Sequence, residues 1–175
     1  MIVLQESLAK PPERDLCPLK KEHVTYHTAS DQETIALGRE LGAAIREGDV
    51  IALVGELGTG KTWFTKGVAI GMGVPRDTII TSPSFSLVNE YRGRYTLYHM
   101  DAYRLESLSD FLSTGLEEYF YQGGVVAMEW ADRWHEVLPG WRLKVELTIV
   151  DEHSRRISLS GHHPRAVEIL RSMGK

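Results

Sequence analysis

Cysteine is almost missing from this chain: Cys17 stands alone among 175 residues. One thiol closes no internal disulfide and has no companions for a zinc site, which excludes a disulfide-stapled secreted scaffold and a Cys-rich metal module. The expected setting is reducing and cytoplasmic, with Cys17 incidental. Long apolar runs are missing too. No stretch reaches the roughly 18 residues of a membrane-spanning helix, and Met1-Ile2-Val3-Leu4 is too short for a signal sequence. A soluble protein without a membrane partner is expected. Nor is there an excess of positive charge: 20 Lys+Arg stand against 24 Asp+Glu, a formal net charge of −4. Broad electrostatic attraction to nucleic acid is therefore not expected, and direct RNA binding is not indicated. Internal repeats and low-complexity segments are absent.

What is present suits one domain with a core of its own. Residues 1–22, with Pro11-Pro12 and Pro18 and no clear period, read as a loosely ordered arm, and residues 23–175 as the domain. That domain is organised around Gly55-Glu56-Leu57-Gly58-Thr59-Gly60-Lys61-Thr62, between the apolar run Val50–Val54 and a helical stretch opening at Trp63. The pattern G-x-x-x-x-G-K-[ST] in strand–loop–helix context is a P-loop. Its glycines let backbone N–H groups approach phosphates, its lysine reaches the β- and γ-phosphates, and its hydroxyl is placed to ligate Mg²⁺ at a helix N-terminus. Glu56, Leu57, Gly58, Thr59, Gly60, Lys61 and Thr62 are accordingly the candidate phosphate contacts. A glycine-rich connecting turn explains neither the Lys-Thr pair nor its position. Trp63 and Phe64 are assigned to packing against the sheet, although Trp63, beside the phosphates, also stands among the nucleotide-contact candidates.

Elsewhere the periods alternate between strand and helix. His23–His27 alternates like a strand; Ser30 and Glu33 have capping-box spacing, opening a helix with Thr34, Leu37, Leu41, Ala44 and Ile45 inward and Gly48 at its C-terminal cap. The P-loop helix runs to about Ile70 and stops at Gly71–Pro75. Ile79–Tyr91 passes from a hydroxyl-rich loop into a strand that returns over Arg94–Met100. Leu105, Leu108 and Leu112 suggest one face of a short helix, and 115–121 a further helical turn. Val125–Met128 is a buried-strand run, Leu143–Ile149 and 156–160 form a terminal hairpin, and 164–173 a closing helix. The expected fold is α/β: a single P-loop NTPase domain with a central mixed sheet flanked by helices and carrying antiparallel hairpins.

Phosphoryl chemistry on a P-loop needs a carboxylate near the metal, a group orienting the attacking oxygen, and cations for the developing charge. Glu129, after the strand 125–128, is the candidate Walker-B-like acid, holding Mg²⁺ directly or through water. Asp101, after the strand ending at Met100, is the second acid, placed to orient or activate water. A solvated turn residue is the ordinary reading of either acid, and the P-loop context favours function. Thr81, Ser82 and Ser84 surround Pro83 in a loop of the kind that senses a γ-phosphate, where turn chemistry is the competing reading. Arg104 and Arg133 follow the acids by three and four residues and suit phosphate or base contact, against surface solvation; Arg133 is counted with the nucleotide contacts. His99 reads as a packing or hydrogen-bonding residue rather than a base. Trp130 suits either stacking near a base or the core. No N-K-x-D motif supports GTP, which leaves ATP as the default nucleotide.

Four segments in order resemble one family: Gly55–Thr62, Ser82–Tyr91, His99–Leu105 and Glu129-Trp130 are similar to those of the bacterial TsaE (YjeE) P-loop ATPases of tRNA threonylcarbamoyladenosine modification, over about Ser30 to Arg133. The resemblance implies a compact mixed sheet, Mg²⁺–ATP as ligand, and action with TsaB and TsaD, so that tRNA is met only through the complex. It implies Thr62 and Glu129 as metal ligands, and Lys61 and Asp101 as residues required for hydrolysis. Ser84 replaces a more usual threonine and keeps the hydroxyl, while the arm before His23 exceeds the family pattern. A P-loop without an evident arginine finger is expected to turn over slowly alone. Two other readings remain: a P-loop small-molecule kinase, which needs an acceptor pocket and an arginine-bearing lid, and a nucleotide-dependent interaction module with vestigial hydrolysis.

Overall fold

The computed structural model describes residues 22–173. The expected arm lies outside the described residues except for Glu22, which opens the first strand. Strands β1 (Glu22–Thr28), β2 (Val50–Val54), β3 (Val88–Arg92), β4 (Thr96–Asp101), β5 (Val125–Glu129), β6 (Leu143–Ile149) and β7 (Arg155–Gly161) form a single sheet in the order β1-β7-β6-β2-β5-β4-β3. The inner strands β6, β2, β5 and β4 run parallel, and the pairs β3–β4, β6–β7 and β1–β7 are antiparallel. The mixed sheet and both hairpins are as the sequence predicts.

Two apolar layers cover the sheet. On one face α1 (Asp31–Ala44), α2 (Lys61–Gly71) and α4 (Pro164–Met173) bury Leu37, Leu41, Phe64, Val68, Ile169 and Leu170 against Ile51, Leu53, Ala127 and Val145. On the other, α3 (Leu108–Ser113) and 3-10 helices at Leu116–Phe120 and Ala131–Trp134 bury Phe111, Leu116, Phe120 and Trp134 against Ala52, Val126 and Met128. With both faces covered, β2 and β5 are almost continuously apolar, as parallel strands between layers must be. Among the described residues no helix is long and apolar enough to cross a membrane.

α1 begins where its cap predicts: the Ser30 hydroxyl accepts from Glu33 N and the Glu33 carboxylate accepts from Ala29 N. It ends earlier than expected. Ile45 closes it by donating its N–H to Leu41 O, while Gly48, at φ 86°, turns the chain into β2. The inward face also differs, since Gly38 and Gly42 are buried and Ala44 is only partly so. Those glycines lie against Gly67 and Gly71 of α2, so the two helix backbones touch.

The expected passage from hydroxyl-rich loop into strand falls at Val88, because Leu87 takes a left-handed φ of 64° and its N–H turns back to Pro83 O. Two further expectations are corrected. The returning strand opens at Thr96 rather than Arg94, whose N–H is held by Met72 O. The helix expected from Leu105 starts instead at a Ser107–Asp110 capping box. That shift turns Phe111 inward and leaves Leu108 and Leu112 exposed.

Candidate functional site

The parallel strands put their carboxyl ends side by side, where open α/β sheets present chemistry. β2 runs into the glycine-rich loop, and the register sets Leu53 beside Glu129 and Glu129 beside Asp101. Both acids are the last residues of their strands, one position earlier than the sequence reading placed them relative to the strand ends.

Gly55 has φ 147°, and a Cβ there would stand 2.5 Å from Leu147 O of β6. Gly60 caps α2 at φ 96°. Lys61, the next residue, folds back over the loop, its Nζ donating to Gly55 O at 2.6 Å and Glu56 O at 2.8 Å and lying 4.1 Å above the Trp130 ring. Burial pushes its pKa down, while the charges of Glu129, Asp101 and Asp132 pull it up. Thr59 is buried and donates to Glu56 O at 2.9 Å.

The Thr62 hydroxyl, in the first turn of α2, donates to Glu129 Oε1 at 2.8 Å. The same oxygen lies 2.8 Å from Nε2 of His99, which is wholly buried, in keeping with the hydrogen-bonding role expected of it. Asp101 is fastened separately: Oδ2 accepts from the Ser82 hydroxyl and Oδ1 from Tyr103 N at 2.9 Å. Each carboxylate is thus over 95 % buried yet partnered, as a buried charge requires.

Lys61, Thr62, Ser82, Asp101, Tyr103 and Glu129 line one cavity of about 670 Å³, together with Leu57, Gly58, Gly60, Trp63, Ser84, Trp130, Arg104 and Arg155. The packing assignment of Trp63 is corrected. Phe64 takes the inward position of that turn, so Trp63 is 42 % exposed, with Lys66 5.4 Å above its ring. Trp130 is not in the core either; at φ 61° it stacks on Tyr103 with ring centroids 4.7 Å apart. Arg133 does not line the cavity, since its guanidinium donates to Tyr103 O and Leu105 O and braces that segment from behind. Nor do Glu56 and Thr59, whose contacts are within the loop.

Sequence reasoning missed Arg155. From the start of β7 it donates to the carbonyls of Asp151, Glu152 and Ser154 and reaches Gly58 O at 3.4 Å, tying the terminal hairpin to the loop. No local motif marks it; only β6 lying beside β2 brings it there.

Among the described residues no group of three or more His, Cys, Asp and Glu is placed to hold a metal by itself. A hard cation held by one hydroxyl and one carboxylate, the rest of its shell being phosphate and water, nevertheless suits the Thr62–Glu129 oxygen pair.

Fold and site define a mixed α/β protein whose glycine-rich loop, lysine and hydroxyl meet two strand-end carboxylates in one cleft. A family model described as "Threonylcarbamoyl adenosine biosynthesis protein TsaE" matches residues 28–157, and the chain belongs to this TsaE family. It is 42% identical over 131 residues to the tRNA threonylcarbamoyladenosine biosynthesis protein TsaE of Treponema pallidum, covering 75% of this chain and 96% of that one. It is 41% identical over 140 residues to the protein of that name from Bacillus subtilis, covering 79% and 86% respectively. The crystal structure of Bacillus subtilis YdiB is similar at TM-score 0.74 and 34% identity, over 89% of this chain and 96% of that one.

Proposed function

We propose that this chain is a Mg²⁺-dependent ATPase serving tRNA threonylcarbamoyladenosine biosynthesis, the role that its relatives' names carry. The observation that carries the reading is the Thr62–Glu129 contact beside a lysine curled over the loop. It reproduces, at the carboxyl ends of adjacent parallel strands, the hydroxyl–carboxylate–lysine set that metal-assisted phosphoryl transfer uses.

The loop's backbone N–H groups and Lys61 bind the β- and γ-phosphates, and Thr62 and Glu129 hold the cation. Bound Mg²⁺ supplies charge neutralisation on the phosphate oxygens. Asp101 lies one strand further out, fixed by Ser82 and Tyr103 N, where it orients the attacking water. Trp130 and Tyr103 wall the cleft and limit water around Lys61.

Slow turnover alone is expected. Arg155 is spent on carbonyls, and Arg104, 3.9 Å from the exposed Phe85 ring, has no hydrogen bond among the described residues to fix it where charge develops. Following the family resemblance, the accelerating partners are TsaB and TsaD, and ATP hydrolysis permits their repeated turnover on tRNA.

Phosphate release from Mg²⁺–ATP by wild type and Lys61→Ala, each alone and with TsaB–TsaD, tests this. Slow wild-type release that the complex accelerates and the substitution abolishes is the expected result. Release that appears only when an acceptor molecule is added would point to a kinase. Tight ATP binding with no release in either preparation would leave an interaction module.

A further inference from the structure

His99 is a buried polar residue without a part in the proposed reaction. It is wholly inaccessible, and Glu129 Oε1 is its only polar partner among the described residues. We propose that His99 is a positioning residue for the metal-side carboxylate. By donating Nε2–H to Oε1, it fixes Glu129 so that Oε2 faces the cation. This role rests on the reading of Glu129 as a metal-holding group.

The geometry has three parts. First, the β4–β5 register pairs His99 with Ala127 and Asp101 with Glu129, so His99 and Glu129 lie on the sheet face that α2 covers. The methyl of Ala127 leaves the imidazole room to lean along the strand towards the carboxylate. Second, Oε1 already accepts the Thr62 hydroxyl. A hydroxyl that is also to give a lone pair to a cation cannot alone define the carboxylate's rotation, whereas a second donor from a rigid ring in the sheet can. Among the described residues nothing donates to Oε2, which leaves it for the cleft. Third, His99 Nδ1 is buried without a partner. This identifies the tautomer: with the proton on Nε2 the orphan is a bare acceptor, which buried sites tolerate better than an orphaned N–H. A histidine kept only for packing would leave both nitrogens idle, and here the bonded one meets the metal-side acid.

His99→Gln and His99→Asn in the full chain test the assignment. Glutamine carries an amide N–H out towards the Nε2 position, and asparagine stops short of it. Removing an outer partner of a metal ligand typically costs about 10–100-fold in activity or metal affinity. His99→Asn should therefore lower kcat by that factor with KM for ATP nearly unchanged, and His99→Gln should recover most of it. Independently of turnover, Mn²⁺ titrated into each protein with a non-hydrolysable ATP analogue should bind more weakly to the Asn variant by the same order. Wild-type Mn²⁺ affinity and kcat in His99→Asn would overturn the proposal. So would equal losses in both variants that follow only a fall in Tm. A wild type whose analogue binding ignores divalent metal overturns the site reading and the positioning role together. A metal-dependent wild type whose variants bind Mn²⁺ as tightly as it does overturns the positioning role alone.

Discussion

Replacing Gly67 by alanine pits helix propensity against packing at the crossing that sets the P-loop helix. A Cβ at Gly67 would stand 2.9 Å from Arg39 N and from Gly38 Cα, and closer still to Ile35 O. All three are backbone atoms of α1, so no flexible side-chain end can yield. The helices must part. Alanine in a helix interior contributes about 1 kcal/mol relative to glycine. Overpacking a rigid contact costs roughly 1–3 kcal/mol, and a clash against backbone belongs at or beyond the top of that range. Packing wins, with a net loss of about 2 kcal/mol and a fall in Tm of roughly 4–8 °C for a domain of this size. Because Lys61 and Thr62 occupy the first turn of the displaced helix, Mg²⁺–ATP affinity should fall as well. The assay is thermal unfolding with nucleotide titration, and Gly140→Ala is the control, since a Cβ there meets nothing within 4 Å. That control should stay within about 0.5 kcal/mol of wild type. A Tm for Gly67→Ala equal to or above wild type would refute the reasoning, because propensity would then have won and the backbones would not be in contact.

Two other substitutions probe the cleft and its hairpin. Trp130→Gly relieves a left-handed φ of 61°, worth of order 1–3 kcal/mol, while removing the ring beneath Lys61 and against Tyr103. Stability by urea denaturation should change little, and nucleotide affinity by titration should weaken by about fivefold, the equivalent of a cation–π contact of about 1 kcal/mol. Asp151 accepts from His153 N and Ser154 N at the tip of the β6–β7 turn, and those bonds hold its pKa below the ordinary 3.8. A depressed folded pKa means the stabilisation is present above the unfolded value and is lost as pH falls through the lower, folded one. Asp151→Asn keeps the acceptor without the titration, so its urea midpoint should fall less than wild type between about pH 5 and about pH 2.5; parallel curves would remove the assignment.

Much of the architecture was legible because it is local. The P-loop strand, loop and helix, the Ser30 cap, the terminal hairpin and the closing helix each announce themselves within a few residues of period or cap chemistry. Apart from the overlooked Ser107 cap, the misreadings share the opposite property. Leu105, Leu108 and Leu112 have helical spacing, but the capping box at Ser107 decides the phase and sends Phe111 inward. Trp63 and Phe64 are equally apolar, and only the rotation of the first turn of α2 against the sheet distinguishes the outward from the inward ring. Gly38 reads as an ordinary weak helix residue until Gly67 is seen against it, 29 positions along the chain. Arg155 needs strand order, not motif, to reach Gly58.

The two acids carry this distinction into the site. The sequence marks Glu129 and Asp101 alike, as acids at strand ends, and the register makes them neighbours. Their partners differ. Glu129 is tied inward, to Thr62 of the P-loop helix and His99 of the sheet. Asp101 is tied outward, to Ser82 and to the turn at Tyr103. A change at the loop around Pro83 is therefore transmitted first to Asp101, and a change in the P-loop helix first to Glu129. The division suits a site in which metal holding is built into the rigid core and water orientation belongs to segments that a partner surface can reach, for Phe85 and Tyr103 on that side are 83% and 52% exposed. On the proposed function, turnover should depend on partner contact more than nucleotide affinity does, because Lys61, Thr62 and Glu129 lie outside the loop around Pro83.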